Sequence, residues 1–413
     1  MSKLGAEQGL GPGVLTRRDF LRLAASGLAA MAAGTGLLAG CCASSGEPAT
    51  ALVGGTLIDG TGAEPVPDGA VVIQGERIVA VGSHSQVTIP AGARVIEVQG
   101  AAILPGFIDA HVHAAFDRDH LESWAQSGVT TVKDFGNGGD RHRLFTFRDE
   151  VRGDPQYARL LTVGPYVTVP GGYPIVPWGD NALTVNSPED ARQKVGQLLD
   201  DGADMIKIAI ESGTIFRESL PMLSPEEAAA IVELVHQRGT LVGAHVTVAK
   251  DLKRALDAGV DVITHMVGDY LPDELIARAV EAGICWTPTL GMWEDVDRRY
   301  PVHTKATVMN NLGRFAAAGG RVALGSDYGD YIAEFSLPIH EIELMQEAGM
   351  APMDIVVAAT QIAAQSCNLG QEIGTLEVGK AADLLIVDGD PLQDIRALTS
   401  TRIVLHSGMM IRE

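Results

Sequence analysis

The middle of the chain alternates between apolar runs typical of buried strands and segments with the spacing of amphipathic helices. Eight apolar runs stand out: "AAILPGFIDAHVH", "GVTTVKDFG", "ARLLTVGPYVTV", "DMIKIAI", "LVGAHV", "DVITHM", "ICWTPTL" and "RVALGSD". The clearest helix, "SPEEAAAIVELVHQRG", begins at Ser224 with Glu227 as its capping-box partner and stops at Gly239. This alternation predicts an α/β fold, a (β/α)8 barrel of the TIM type. A doubly wound open sheet is the alternative, but no glycine-rich phosphate loop follows the first strand.

The two ends of the chain have a different pattern. Residues 51–100 contain short alternating runs separated by glycine turns, and so do "GTLEVGKAADLLIVDGDPL" and "TRIVLHSGMMI" near the C-terminus. Both patterns predict short antiparallel strands. We therefore expect a small composite β-sandwich domain from residues 51–103 and 372–413, with the barrel between them at residues 104–371.

The first 50 residues resemble an export signal followed by a tether. "LTRRDFLRLAASGLAAMAAGTGLLAGC" pairs Arg17 and Arg18 with a mildly apolar run, so residues 1–40 are interpreted as the signal. "TRRDFL" is similar to the twin-arginine consensus, and "LAGC" is similar to a lipobox, which predicts cleavage before Cys41 and a lipid on that cysteine. Residues 41–50 then form a short tether. The alternative is a transmembrane anchor, although Arg22 interrupts the run.

These signals predict an exported protein, lipid-anchored on the outer side of the cytoplasmic membrane or periplasmic. The lipid would be its only membrane contact. With 413 residues, 46% of them hydrophobic, the chain is long enough for a barrel and a second domain. The net charge of −21 argues against nucleic acid as a partner, because the phosphate backbone calls for a basic surface. Beyond Cys41 and Cys42, which directly follow the signal, only Cys285 and Cys367 remain, so no disulfide framework is expected.

Polar residues follow the apolar runs at the strand ends, where barrel enzymes carry their chemistry. His111 and His113 are one residue apart, so on a strand both point to the same face. Two such histidines alone are more often core or hydrogen-bonded residues than metal ligands. The remaining polar residues at the ends of strands 4, 5, 6 and 8 are Lys207, His245, His265 and Asp327. Together the six predict a metal site at the barrel mouth.

The chain from about residue 51 onward resembles the amidohydrolase superfamily of metal-dependent hydrolases, in its imidazolonepropionase-like and prolidase-like branch. The motifs that carry the resemblance are "GFIDAHVH", "GVTTVKDFG", "GADMIKIAI", "GAHV", "GVDVITHM", "ALGSD" and "VGKAADLLIVDGDPLQDI". The resemblance implies two divalent metal ions. One would be held by His111, His113 and Asp327, and the other by His245 and His265. Zinc is the expected metal, although nitrogen and oxygen ligands also suit Mn, Co or Fe.

The resemblance also implies that Lys207 is N6-carboxylated and bridges the two ions. A lysine ammonium cannot bind a metal, whereas a carbamate offers two anionic oxygens that suit a bridge between close ions. A lysine in an apolar strand has a lowered pKa and so a neutral, reactive amine. The alternative for Lys207 is a salt bridge across the barrel mouth.

We therefore predict a binuclear hydrolase of amide C–N bonds in small molecules such as dipeptides or N-acyl amino acids. Asp327 would be the catalytic residue that moves the proton from the attacking water to the leaving nitrogen. Tyr173 stands where prolidase-like relatives often carry a histidine, and it could donate to a substrate carbonyl or pack. Arg217 could pair with a substrate carboxylate or be solvated. A lactonase or esterase on the same site and a non-catalytic binding lipoprotein are the alternatives.

Overall fold

The structure, a computed structural model, describes residues 48–299, 304–329 and 335–413. The predicted signal with Arg17 and Arg18, and the predicted lipidation site Cys41, lie outside the described residues. Within the described ranges, no helix combines the length and apolarity that crossing a membrane requires.

The described chain consists of strands and helices that alternate through its middle. The strands are β1 (Thr50–Leu57), β2 (Val66–Gln74), β3 (Arg77–Ser83), β4 (Arg94–Glu97), β5 (Ala101–Pro105), β6 (Phe107–Val112), β7 (Val129–Asp134), β8 (Arg159–Thr162), β9 (Val167–Thr168), β10 (Leu183–Thr184), β11 (Ile206–Ala209), β12 (Val242–His245), β13 (Val262–Thr264), β14 (Cys285–Thr287), β15 (Arg321–Val322), β16 (Leu384–Asp388), β17 (Thr401–His406) and β18 (Met409–Arg412). The α-helices are α1 (Arg118–Gln126), α2 (Arg141–Val151), α3 (Ile175–Trp178), α4 (Pro188–Asp200), α5 (Pro225–Gln237), α6 (Ala249–Ala258), α7 (Asp273–Glu281), α8 (Leu290–Arg299), α9 (Lys305–Ala317), α10 (Ile339–Glu347), α11 (Pro352–Val357) and α12 (Ala363–Ser366), with a π-helical turn at Ala358–Ile362 and a 3₁₀ helix at Ile395–Thr399.

The parallel strands form a closed barrel. One arc runs β6–β7–β8, and a second arc runs β9–β11–β12–β13–β14–β15, with β10 added at the edge of β9. The Asp204 N–H donates to the Thr162 carbonyl at 3.0 Å and joins the arcs. The barrel closes where the Ala110 N–H donates to the Leu324 carbonyl at 2.9 Å and the Asp327 N–H donates to the His111 carbonyl at 2.8 Å. The predicted TIM-type barrel with an attached β-domain is confirmed.

Two apolar runs that the sequence pattern treats as single strands are divided in the structure. "AAILPGFIDAHVH" becomes β5 and β6, which are separated at Gly106 and belong to different sheets. The Gly106 N–H donates to the Asp383 carbonyl at 2.9 Å, and a side chain at Gly106 would overlap that of Thr130. The third run is likewise divided into β8 and β9. The first barrel strand is therefore shorter than predicted and begins at Phe107.

The two ends of the described chain meet in one mixed sheet. Its order is β18–β17–β16–β5–β1–β2–β3, with β4 paired to β1. Hydrogen bonding joins all eight strands, and β1 pairs in parallel with β4 and β5. Both faces are covered, because Leu52 packs in one apolar cluster while its neighbours Ala51 and Val53 pack in another.

The helix caps follow the local sequence. At α5 the Glu227 N–H donates to Ser224 Oγ at 3.2 Å, and the Ser224 N–H donates to Glu227 Oε2 at 2.8 Å. This is the predicted capping box, and it satisfies N–H groups that the first turn leaves free. The helix ends before Gly239, whose φ of +74° is readily adopted only by glycine.

Candidate metal centre

The six predicted ligands lie at the carboxyl ends of five barrel strands. Five of them lie within a strand or immediately after one: His111 in β6, His113 just after it, Lys207 in β11, His245 at the end of β12 and His265 just after β13. Asp327 follows β15 in the segment that closes the barrel on β6. Because all barrel strands are parallel, their carboxyl ends open at one mouth, and the side chains converge there.

His111, His113 and Asp327 form a tight cluster. The Oδ1 atom of Asp327 lies 3.1 Å from Nε2 of His111 and 3.2 Å from Nε2 of His113. The two Nε2 atoms are 3.3 Å apart. One ligand atom from each residue lies within 4.8 Å of the others, so the three could hold one metal ion.

The other three predicted ligands border this cluster. Nζ of Lys207 lies 3.4 Å from Nε2 of His111. The ring centroid of His265 is 5.1 Å from that of His111 and 4.6 Å from that of His245. Lys207 and His111 are fully buried, and His245 and His265 are nearly so. The structure therefore brings all six predicted metal ligands together.

Backbone and hydroxyl partners orient two of the imidazoles. Nδ1 of His113 donates to the Gly136 carbonyl at 2.8 Å, and because a carbonyl only accepts, the lone pair remains on Nε2. Nδ1 of His265 is hydrogen-bonded to Thr289 Oγ1 at 2.8 Å. His265, Thr289 and Asp327 have φ values of 69°, 48° and 60°, which are uncommon for residues other than glycine. Such left-handed backbone outside glycine tends to cluster at functional sites.

Burial sets the protonation of the cluster. It lowers the pKa of His111 and His265 well below the ordinary value and also lowers that of His245. It lowers the pKa of Lys207 to about 7. Burial alone would raise the pKa of Asp327, but its interactions with His111, His113 and His265 together outweigh burial and hold the pKa well below the ordinary range. His111, His245 and His265 are therefore neutral imidazoles and Asp327 is an ionised carboxylate, which are the forms that bind metals. At His113 burial lowers the pKa, but the hydrogen bond and charge interaction with Asp327 together outweigh burial and raise it.

The donor set fits a divalent transition metal. Imidazole nitrogens and a carboxylate oxygen point at a common space, and they match the nitrogen and oxygen ligands of zinc and similar ions. Nδ1 and Nε2 of His245 and Nδ1 of His111 are buried and have no hydrogen-bond partner among the described residues. Buried polar atoms normally have a partner, so the orphaned nitrogens of His245 are consistent with a ring that binds an ion through one of them. His111 already faces Asp327 through its Nε2.

Comparison with known proteins identifies the family of the chain. Residues 102–407 match the Amidohydrolase family. The chain belongs to the amidohydrolase family. Ochratoxinase of Aspergillus niger is 24% identical over 415 residues, covering 86% of this chain and 85% of that protein. Imidazolonepropionase of Symbiobacterium thermophilum is 27% identical over 376 residues, covering 78% of this chain and 84% of that protein.

A solved structure agrees with these relatives. A Xaa-Pro dipeptidase crystallised with methionine in its active site superposes with a TM-score of 0.78 at 25% identity. The match covers 88% of this chain and all of that one. The amidohydrolase described here is accordingly a hydrolase with peptidases and amide hydrolases among its neighbours.

The two predicted substrate residues of this amidohydrolase lie in different surroundings. The ring of Tyr173 stacks on His245 with a centroid distance of 4.0 Å and an interplanar angle of 17°. Arg217 is exposed on the loop after β11, with φ of 57°. Its neighbour Phe216 stacks on Tyr173 at 6.0 Å. Tyr173 is thus part of the wall of the centre, whereas Arg217 lies on the rim.

Sequence reasoning missed two residues of this amidohydrolase that adjoin the predicted ligands. The hydroxyl of Tyr166 accepts a hydrogen bond from Nζ of Lys207 at 2.9 Å. Glu211 is buried, and its Oε2 lies 3.7 Å from Nε2 of His245. Strand alternation was the available signal for Glu211, since Lys207, Ala209 and Glu211 share one face.

Proposed function

We propose that the protein is a binuclear metal-dependent hydrolase of amide C–N bonds in small molecules, such as dipeptides or N-acyl amino acids. The observation that carries the proposal is the convergence of His111, His113 and Asp327 with Lys207 and two further histidines at the mouth of the barrel. The relatives support amide chemistry, because an ochratoxinase, an imidazolonepropionase and a Xaa-Pro dipeptidase are among them.

Two divalent ions, with zinc as the expected metal, would occupy the centre. His111, His113 and Asp327 would hold one ion, and His245 and His265 would hold the other. Bound there, the ions would lower the pKa of water toward neutrality and polarise the amide carbonyl. The lowered pKa of Lys207, about 7, leaves much of its amine neutral, so Nζ can bond to the carbon of carbon dioxide and release a proton. The resulting N6-carboxylate would bridge the two ions.

Asp327 would move the proton. Its carboxylate is ionised because interactions with His111, His113 and His265 hold its pKa well below the ordinary range. It can accept a proton from the attacking water at a carboxylate oxygen and then donate it to the leaving nitrogen. This transfer makes the departing group a neutral amine.

Two residues near the mouth would contribute to substrate recognition. Tyr173 stays protonated because burial raises its pKa, so its hydroxyl can donate a hydrogen bond to a substrate oxygen. Arg217 is exposed at the rim and would pair with the free carboxylate of a dipeptide or an N-acyl amino acid.

For location, we propose export and a lipid anchor on Cys41. Arg17, Arg18 and the "LAGC" motif support this proposal from the sequence alone. The mature enzyme would then act on small molecules outside the cytoplasm, and the lipid would be its only membrane contact.

A substrate screen tests the proposed function. The zinc-loaded full chain is incubated with N-acyl amino acids, dipeptides and lactones, and the His111→Ala variant prepared in parallel shows any activity that comes from a contaminant. We expect hydrolysis of amides that carry a free carboxylate. Cleavage of lactones alone would favour an esterase, and saturable binding without turnover would favour a binding lipoprotein.

A further inference from the structure

Glu211 is a buried carboxylic acid on the wall of the metal centre that the proposed reaction does not use. It follows the end of β11 by two residues, and alternation along the strand places its side chain on the inward face that carries Lys207. Only 1% of the residue is exposed. A carboxylate removed from water to this extent needs partners that offset the cost of its desolvation.

Three groups surround the Glu211 carboxylate. Its Oε1 accepts a hydrogen bond from the Gly213 N–H at 2.6 Å, and its Oε2 accepts one from the hydroxyl of Thr247. Nε2 of His245 lies 3.7 Å from the same Oε2. Each carboxylate oxygen can accept two hydrogen bonds, so Oε2 retains capacity for a second donor. The nearest ring nitrogen is the one on His245.

The ring of His245 contacts the rings of His265 and Tyr173. That of His265 packs against it at 70° with a centroid distance of 4.6 Å. Tyr173 stacks against the His245 ring at 4.0 Å, which restrains movement out of the ring plane. Neither ring nitrogen has a hydrogen-bond partner within the described part of the chain. A decrease of less than about 1 Å in the 3.7 Å separation of Nε2 and Oε2 would bring these two atoms within hydrogen-bond distance.

We propose that Glu211 is a positioning residue that accepts the N–H at Nε2 of His245 and thereby leaves the Nδ1 lone pair for the second ion. The proposal rests on the two-metal function given above. A carboxylate can only accept, so it selects the tautomer with the proton on Nε2. His113 has the opposite arrangement of its ring nitrogens. The Gly136 carbonyl accepts its Nδ1–H, which leaves the Nε2 lone pair for a metal.

Metal affinity of the full-length protein tests this role. Glu211→Met has a side chain of similar length without a hydrogen-bond acceptor. We expect this variant to bind the second ion about 10- to 100-fold more weakly and to bind the first ion as the wild type does. Glu211→Gln keeps an acceptor oxygen and should recover most of the affinity. Both ions are measured by competition with a zinc chelator, and bound zinc is counted by mass spectrometry after dialysis.

Asp251→Asn provides a matched control. Asp251 is also 1% exposed and accepts the Ser212 N–H at 2.9 Å, so it supports the same loop. We expect this variant to lower the melting temperature of the metal-free protein and to keep both affinities. The positioning role is wrong if Glu211→Met binds the second ion as tightly as the wild type does, or if it loses the same affinity for both ions. A wild type that binds fewer than two ions contradicts the two-metal function itself, and with it the role of Glu211.

Discussion

Nζ of Lys207 donates a hydrogen bond to the hydroxyl of Tyr166 at 2.9 Å while it lies 3.4 Å from Nε2 of His111. The same nitrogen lies 4.3 Å from the centroid of the Tyr166 ring and 4.8 Å from that of Phe135. Lys207 is therefore held at the edge of the histidine cluster by aromatic residues rather than by a carboxylate. A salt bridge across the mouth, the alternative role for this lysine, is not what the described contacts show.

Replacement of Lys207 tests the proposed carboxylation. We expect Lys207→Ala to lose metal, and to regain some activity when short carboxylates are added, because these can replace the bridging oxygens. Protein prepared in ¹³C-bicarbonate should give a carbamate signal by NMR that disappears in the variant. Lys133 is equally buried, so a signal that persists would assign the carbamate to another lysine and rule out the bridge at Lys207.

Removal of a histidine ligand tests the metal centre directly. We expect His111→Ala to lose metal and amide hydrolysis together, because its Nε2 lies within 3.4 Å of Asp327, His113 and Lys207. His236→Ala is the control, since His236 is exposed and pairs at 2.9 Å with Asp261, which lies at the amino end of β13, opposite the end that carries His265. Metal content and turnover are measured side by side. Full activity after exhaustive chelation would exclude a metal mechanism.

Arg217→Ala tests whether the substrate carries a carboxylate. A charged hydrogen bond contributes about 1.5–3 kcal/mol, so the wild type should prefer a free acid over its amide by roughly 10- to 100-fold. The variant should raise KM for the acid and remove this preference. Arg143→Ala is the control, because the Arg143 side chain is 90% exposed and belongs to α2. Equal hydrolysis of acid and amide by the wild type would contradict a carboxylate requirement.

Cys41→Ser tests the proposed anchor. If Cys41 carries the lipid, the variant should leave the membrane fraction or accumulate as an uncut precursor, as judged by fractionation and immunoblotting. Cys42→Ser, one residue further on, should fractionate like the wild type. Unchanged membrane attachment of the Cys41→Ser variant would favour a transmembrane anchor.

Asp383 connects the β-domain to the barrel and gives a stability prediction. Its Oδ2 accepts a hydrogen bond from Arg159 at 2.9 Å, and its Oδ1 accepts the Ser407 N–H at 2.7 Å. Burial would raise the pKa of Asp383, but Arg159 and His406 outweigh it, so the pKa lies below the ordinary 3.8. We expect Asp383→Asn to cost about 3 kcal/mol at pH 7, the low end for a broken buried pair, because the Arg159 side chain is 27% exposed.

The sign of the pH dependence follows from the lowered pKa. The stabilisation is fully present above the unfolded pKa near 3.8 and is lost as the pH falls through the folded value. The difference between wild type and variant in urea unfolding should therefore stay constant from pH 8 to 5 and shrink below about pH 4. Glu233→Gln, which removes an exposed pair with Arg192, should cost less than about 1 kcal/mol. A difference that grew on acidification would contradict the assignment.

The metal ligands could be predicted because barrel geometry brings the carboxyl ends of the strands together. A histidine that follows an apolar run is therefore expected at the barrel mouth. Glu211 and Tyr166 could not be predicted with the same ease. In the sequence, neither residue differs from an ordinary loop residue. Their importance comes from contacts with His245 and Lys207, and these contacts depend on how neighbouring strands pack. The division at Gly106 was also hidden, because the apolar run continues through it and the break depends on close approach to Thr130.

The pairing of β5 with β16 has a consequence for synthesis of the chain. β5 immediately precedes the first barrel strand, whereas β16 follows the last, so the whole barrel lies between them in sequence. During translation, one edge of β5 therefore stays unpaired until the ribosome has synthesised the barrel and β16. Such long-range pairing forms late and slowly, so the edge of β5 that later pairs with β16 is open to aggregation during synthesis.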